Sequence, residues 1–212
     1  MLFLAKEKPF AREAAELLRL HMSGADIFFG GLADPFPPSA LEQHYDYVIS
    51  YISPWIVPQQ VLEHARIAAI NFHPGPPEYP GIGCTNFALY NGAQLFGVTV
   101  HHMKAQVDSG AIIMVDRFPI LPHDTVFSLS QRCYASIAMV FARLFPILLA
   151  GQSLPQSTEQ WTRSPYTRRE LDALCRITKD MSDEEVRRRI RATRYPGMPG
   201  AYIEIAGEQF HL

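Results

Sequence analysis

The chain has 212 residues, 48% hydrophobic and 19% charged, with 19 Lys+Arg against 21 Asp+Glu, a composition that excludes a disordered segment and suits one soluble domain. Folding at this length buries roughly 70% of the unfolded surface, so one core suffices without disulfides or a structural metal. Three dispersed cysteines, Cys84, Cys133 and Cys175, form no CxxC pair, which argues against a zinc ribbon and for free thiols in a reducing, cytoplasmic compartment.

From the N-terminus, Met1 to Glu7 holds too few apolar residues before its first charge for a signal peptide, whose h-region needs about 7 to 15, so export is not expected. Leu2 to Ala5 reads as a strand, Pro9 to His21 as a helix with Ala14, Leu17, Leu18 and His21 on one face, and Ala25 to Phe29 as a second strand. Gly30 to Ser39 is a Pro/Gly loop, Tyr45 to Tyr51 a strand and Pro58 to His64 a short helix with proline in its first turn. Arg66 to Phe72 is nearly continuous in apolar residues, as expected for a strand covered on both faces. The alternation predicts an α/β fold with a mostly parallel sheet flanked by helices. A loop with four prolines, Pro74 to Pro80, leads to a helix around Asn86 to Asn91 and two strands, Gly97 to Met103 and Ala111 to Pro119.

The second half is helical. A helix from about Thr125 to Ala150 has Asp124 or Thr125 as N-cap and Gly151 as stop, with Pro146 expected to kink it or end it early. Arg132 and Arg143 leave ten uncharged residues between them, about half a membrane crossing, so this is a core helix and no membrane partner is expected. Ser182-Asp-Glu-Glu185 opens a further helix to Arg194, and a β-hairpin, Tyr202 to Ile205 and Glu208 to His211, closes the chain. Residues 1–180 are expected to form the main domain and 181–212 a C-terminal helix and hairpin extending it. Tyr202, Ile203, Ile205 and Phe210 suit either a homodimer contact or packing on the domain.

Asn71 and His73 are two apart at the end of an apolar strand, so both side chains emerge on one side at the carboxyl edge of the sheet. Ligands bind at that edge in open α/β sheets. Pro74 holds His73 extended, and the proline-rich loop beyond it is stiff. Asp108, in Gln106-Val-Asp-Ser-Gly110, occupies a turn that can bring a carboxylate to the same place. Asn, His and Asp without a serine or cysteine nucleophile suit direct acyl transfer to an amine, which needs oxyanion stabilisation and proton management.

Ile70-Asn-Phe-His-Pro-Gly75, Tyr79-Pro-Gly81, Gly97-Val-Thr-Val-His-His-Met103 and Val107-Asp-Ser-Gly-Ala-Ile-Ile113 together resemble the formyltransferase family that uses 10-formyl-tetrahydrofolate. The resemblance implies a Rossmann-like formyltransferase fold, catalytic roles for Asn71, His73 and Asp108, and a pterin pocket of largely backbone groups at Trp55, Ile56 and Val57 and at Met103, Ala105, Gln106 and Val107. Asn71 and His73 would stabilise the oxyanion, while His73 and Asp108 would manage the amine's protons. Ala5-Lys-Glu-Lys8 lacks the glycine-bearing phosphate loop of the glycinamide ribonucleotide branch. Only about fifteen residues follow Arg191-Ala-Thr-Arg-Tyr-Pro-Gly197, where the methionyl-tRNA branch continues into another domain. Gly75-Pro-Pro-Glu-Tyr-Pro80 also replaces a Ser-Leu-Leu-Pro type sequence of both branches. The short amino-sugar N-formyltransferases are the best match, with a nucleotide-linked amino sugar as partner. A carrier-bound aminoacyl acceptor and a folate-binding module without turnover are the alternatives.

Other features have structural readings. His101 and His102 are adjacent on a strand, face opposite ways and cannot chelate together, so no metal is expected. Cys84 could be an acyl-carrying nucleophile with His73 as base, but the default is a buried small hydrophobe. Residues 163–194 carry ten Arg/Lys and six Asp/Glu. The cluster Arg187, Arg188, Arg189, Arg191 and Arg194 follows acids in a helix's first turn, as the helix dipole favours, so no nucleic-acid partner is expected.

Overall fold

The computed structural model describes all 212 residues. In chain order the elements are β1 (Leu2–Lys6), α1 (Pro9–His21), β2 (Asp26–Gly30), β3 (Tyr45–Tyr51), α2 (Gln59–Glu63), β4 (Ala65–His73), α3 (Cys84–Tyr90), β5 (Leu95–His102), β6 (Ile112–Pro119), α4 (Val126–Leu149), α5 (Arg168–Cys175), β7 (Arg176–Ile177), α6 (Asp183–Thr193), β8 (Tyr202–Ile205) and β9 (Glu208–His211). Six strands form one sheet in the order β2-β1-β3-β4-β5-β6. The four strands from β2 to β4 run parallel, and β5 and β6 are antiparallel additions. This is the expected α/β sheet, and the antiparallel step sets the register that matters: Asn71 lies opposite His101, and His73 opposite Thr99.

The core follows from the apolar strands β1, β3 and β4 and the apolar stripe of α4. Phe3, Tyr51 and Phe72 project from three neighbouring strands onto Phe141 of α4, with ring centroids 5.4 to 6.0 Å from it. Val126–Leu149 is the one helix long and apolar enough to cross a membrane, and here its Leu129, Cys133, Ile137, Val140 and Leu144 are buried in the core. Thr125 is its N-cap, in a reciprocal capping box with Ser128. Asp124 instead receives the Leu121 N–H, the Ser128 hydroxyl and the Arg132 guanidinium.

Several expectations need correction. Pro146 does not end α4 early, because it lies in the last turn, where buried Leu144, Phe145 and Leu148 hold the helix and Pro146 O still accepts from Ala150 N. Strand β4 is covered on both faces only toward its C-terminal end, since Arg66 and Ile67 are exposed. Pro58 is the N-cap of α2 rather than its first residue. The boundary at residue 180 cuts through a small sheet, β7-β8-β9, in which Arg176 and Ile177 pair with Tyr202 and Ile203. Helix α5 was not expected, although Thr167 and Glu170 form a capping box in which each side chain accepts the other's backbone N–H.

That helix explains much of the arginine run. The Arg189 guanidinium donates to the carbonyls of Ala173 and Arg176, at 2.8 and 3.0 Å, and so caps the end of α5. It also pairs with Glu185, as does Arg188, while Arg191 donates to the carbonyls of Pro122 and Asp124. In the hairpin, Ile205 and Phe210 remain half exposed rather than packed on the domain.

Because Phe141 is 2% exposed and touches three strands, Phe141→Ala should cost about 3 to 5 kcal/mol through lost burial and a residual cavity. Urea denaturation of the two proteins, with unchanged m-values, measures it.

Candidate active site

The last residues of β4 deliver Asn71 and His73 to the carboxyl edge of the sheet, as period-2 geometry requires. Between β5 and β6 the chain turns through Asp108, whose φ of 44° lies in the left-handed region that few non-glycine residues adopt. Gly110 allows this turn to close on β5, since a Cβ there would lie 1.7 Å from the His102 carbonyl oxygen. The result is a carboxylate only 4% exposed yet fully partnered. Asp108 Oδ2 accepts from the Gly81 N–H at 2.7 Å and faces His73 Nδ1 at 3.2 Å. Its Oδ1 faces His101 Nε2 at 3.1 Å and accepts from Asn71 Nδ2 at 3.3 Å. Burial pushes the carboxyl group's pKa up, but the charge of His73, the hydrogen bond from His101 and the Gly81 N–H outweigh it, and the group is held down at about 2.

His73 is gripped from both ends. Its Nε2 lies 3.0 Å from the Tyr79 carbonyl oxygen, which can only accept, so that nitrogen carries a proton. The other nitrogen faces Asp108. The stiff loop after His73 therefore closes back on the ring through Tyr79. Gly75 makes room for this, because a Cβ there would lie 2.7 Å from His73 Nε2 and 2.8 Å from the Tyr79 oxygen. The Thr99 hydroxyl, opposite His73 in the sheet, donates to Gly75 O at 2.8 Å and fixes the loop.

Asn71, His73, His101 and Asp108 line a cavity of about 270 Å³. Its other walls include Trp55, Ile56 and Val57 from the segment after β3 and Met103, Lys104, Ala105 and Val107 from the segment after β5. The N–H groups of Ile56, Val57, Lys104, Ala105 and Val107 make no hydrogen bond within the protein, so the walls offer backbone donors beside apolar side chains. Of the positions expected to line a pocket there, Gln106 does not: its side chain is exposed, and its carbonyl accepts from the Ser109 hydroxyl within the turn. Ile52, at the end of β3, also lines the cavity with φ 51°, an uncommon conformation for a β-branched residue.

Two neighbours of Asp108 were not expected. His101 and His102 do face opposite ways, and the inward member, 2% exposed, faces the carboxylate of Asp108. Its position opposite Asn71 is visible only once β5 is known to run antiparallel to β4. Trp161 comes from a segment without regular structure, and its indole N–H donates to Gly110 O at 2.8 Å. Cys84 is no nucleophile: its thiol donates to Pro74 O, and burial pushes it up to about 12.

The depressed titration of Asp108 has a signed consequence. An ionised group with lowered folded pKa stabilises the fold above its unfolded value, near 4, and loses that contribution as pH falls through about 2. The stability advantage of the wild type over Asp108→Asn should therefore shrink by on the order of 2 kcal/mol between pH 5 and pH 2. Urea midpoints measured across that range test it.

With this geometry in hand, comparison with known proteins is direct. The sequence profile of the Formyl transferase family matches residues 40–142, which contain Asn71, His73 and Asp108. The chain is 29% identical over 168 residues to the GDP-perosamine N-formyltransferase of Brucella melitensis, covering 79% of this chain and 64% of that protein. It is 27% identical over 175 residues to the methionyl-tRNA formyltransferase of Lactobacillus acidophilus, covering 81% of this chain and 54% of that one. The chain thus spans somewhat less than two thirds of the curated relatives it matches. Among solved structures, a sugar N-formyltransferase from a Shewanella species superposes with a TM-score of 0.79 at 18% identity, over 100% of this chain and 95% of that one. An N-formyltransferase from Helicobacter canadensis, solved with folinic acid and dTDP-3-aminofucose, gives 0.76 at 17% identity, over 98% of this chain and 85% of that one. The segment carrying the Asn–His–Asp cluster is the one that matches the Formyl transferase family, and the fold of the whole chain is that of the solved sugar N-formyltransferases.

Proposed function

We propose that this protein transfers a formyl group from 10-formyl-tetrahydrofolate to a primary amine on a nucleotide-linked amino sugar, a 4-amino sugar being the preferred acceptor, in the cytoplasm. The observation that carries the reading is the fully partnered Asp108–His73 pair with Asn71 beside it, lining a cavity with unpaired backbone N–H groups. Such donors suit the edge of an aminopyrimidinone ring, and Trp55, Ile56, Val57, Met103, Ala105 and Val107 supply apolar surface for its faces. The GDP-perosamine N-formyltransferase supports this acceptor class, and the Helicobacter canadensis complex with folinic acid and dTDP-3-aminofucose supports both donor and acceptor class. Free thiols at Cys84, Cys133 and Cys175 fit a reducing compartment.

In the reaction, the acceptor nitrogen bonds to the formyl carbon, the bond from that carbon to the donor nitrogen breaks, and one proton passes from acceptor to donor. No group of the protein is acylated. Asn71 and His73 are the donors nearest the cavity for the oxyanion that develops on the formyl oxygen. Asp108 is saturated by its four contacts and acts as the fixed anion that orients His73. The His73–Asp108 pair gives up a proton to the leaving nitrogen and is restored by the proton of the attacking amine, directly or through water.

Calorimetric titration with 5-formyl-tetrahydrofolate, followed by a formylation assay over a panel of nucleotide-linked amino sugars, tests the reading. Binding with turnover of one panel member supports it. Binding without turnover redirects the acceptor to a carrier-bound amine or leaves a folate-binding module, and no binding refutes the donor. His73→Ala should lower kcat at least about 10²-fold with little change in folate affinity, as steady-state kinetics and the same titration would show.

A further inference from the structure

Trp161 touches the Asp108 cluster without lining the cavity. Its indole N–H, which can only donate, is satisfied by the Gly110 carbonyl at 2.8 Å, two residues from Asp108 in the same turn. Its ring meets His101 at 5.0 Å between centroids and 88° between planes, and His73 at 5.9 Å and 73°. One side chain therefore contacts both histidines that hold the carboxylate and the backbone that presents it.

The segment bearing Trp161 is tied to both halves of the site. Ser157 N donates to Ile112 O, beyond the Asp108 turn, while Thr162 N donates to Pro77 O and Tyr166 N to Pro80 O, in the loop that follows His73. Arg117 of β6 bridges Glu78, in that same loop, and Glu159, two residues before Trp161. Asp108 has φ 44°, a left-handed conformation that aspartate adopts more readily than most residues, and the Trp161 bond to the Gly110 carbonyl fastens its turn from outside.

We propose that Trp161 is a positioning residue for the transfer reaction: it clamps the turn that presents Asp108 and packs against His73 and His101, excluding water from the pair and fixing the ring orientations. It touches neither donor nor acceptor and acts through Asp108 and the two histidines. The kinetic part of this assignment rests on the formyl-transfer reading above, and the structural part does not.

The test compares Trp161→Ala and Trp161→Phe with Val140→Ala, a core truncation on α4 remote from the cluster. Trp161→Ala should lower kcat at least about tenfold and move its pH profile, with the KM for the folate donor within about twofold of wild type. Trp161→Phe, which keeps a ring against the histidines but loses the N–H, should recover part of the rate. Independently of turnover, amide exchange at Val107 to Gly110 should quicken and the pH titration of the His73 and His101 imidazole nitrogen signals should move. Val140→Ala should leave all of these at wild-type values despite its lower stability. Unchanged exchange and imidazole titrations in a folded Trp161→Ala overturn the proposal, as does the same change in Val140→Ala, which would mark general loosening. If Trp161→Ala does not fold, Trp161→Phe carries the same exchange and titration readouts. A wild type that transfers no formyl group, with exchange and titration responding as expected, refutes the formyl reading and leaves the clamp standing.

Discussion

A buried negative charge organises this molecule's working end. Taking a carboxylate out of water costs several kcal/mol unless other groups replace its hydration. Asp108 recovers that cost from four directions: Asn71 and His73 on β4, His101 on β5, and the Gly81 N–H in the loop after the prolines. The four partners come from three parts of the chain, so the site forms only when β4, β5 and the loop are in place together with the turn.

The sheet topology makes this convergence possible. Parallel strands β1, β3 and β4 end together at one edge, which brings the end of β4 beside the cavity. Strand β5 then runs antiparallel to β4, so its last residues lie beside Asn71 and lead directly into the turn that returns Asp108 to the same edge. The glycines at 75 and 110 complete the arrangement, because the chain approaches itself there more closely than any Cβ permits.

Charge elsewhere serves the scaffold. The basic stretch near the C-terminus spends its guanidinium groups on the end of α5, on Glu185 and on carbonyls before α4. These contacts fasten the C-terminal helices and the small sheet to the main domain. The cysteines are equally structural at Cys84 and Cys133, where burial raises both thiols and removes their nucleophilicity.

Local physics made much of this legible from residues alone. Apolar runs and helical spacing identified most strands and helices, caps such as Thr125 and Ser182 marked helix starts, and the two-residue period put Asn71 and His73 on one side of a strand end. Those features depend on neighbours a few positions away. Helix α5 was missed although its Thr167/Glu170 box is local, because its strongly polar composition hides the apolar spacing. His101, Trp161, the inertness of Cys84 and the outward face of Gln106 depended on contacts that no local period encodes. The sequence by itself determined which side chains could do the chemistry. Only the tertiary structure decided which groups hold Asp108 buried and ionised, because a carboxylate's environment is assembled from residues up to dozens of positions apart.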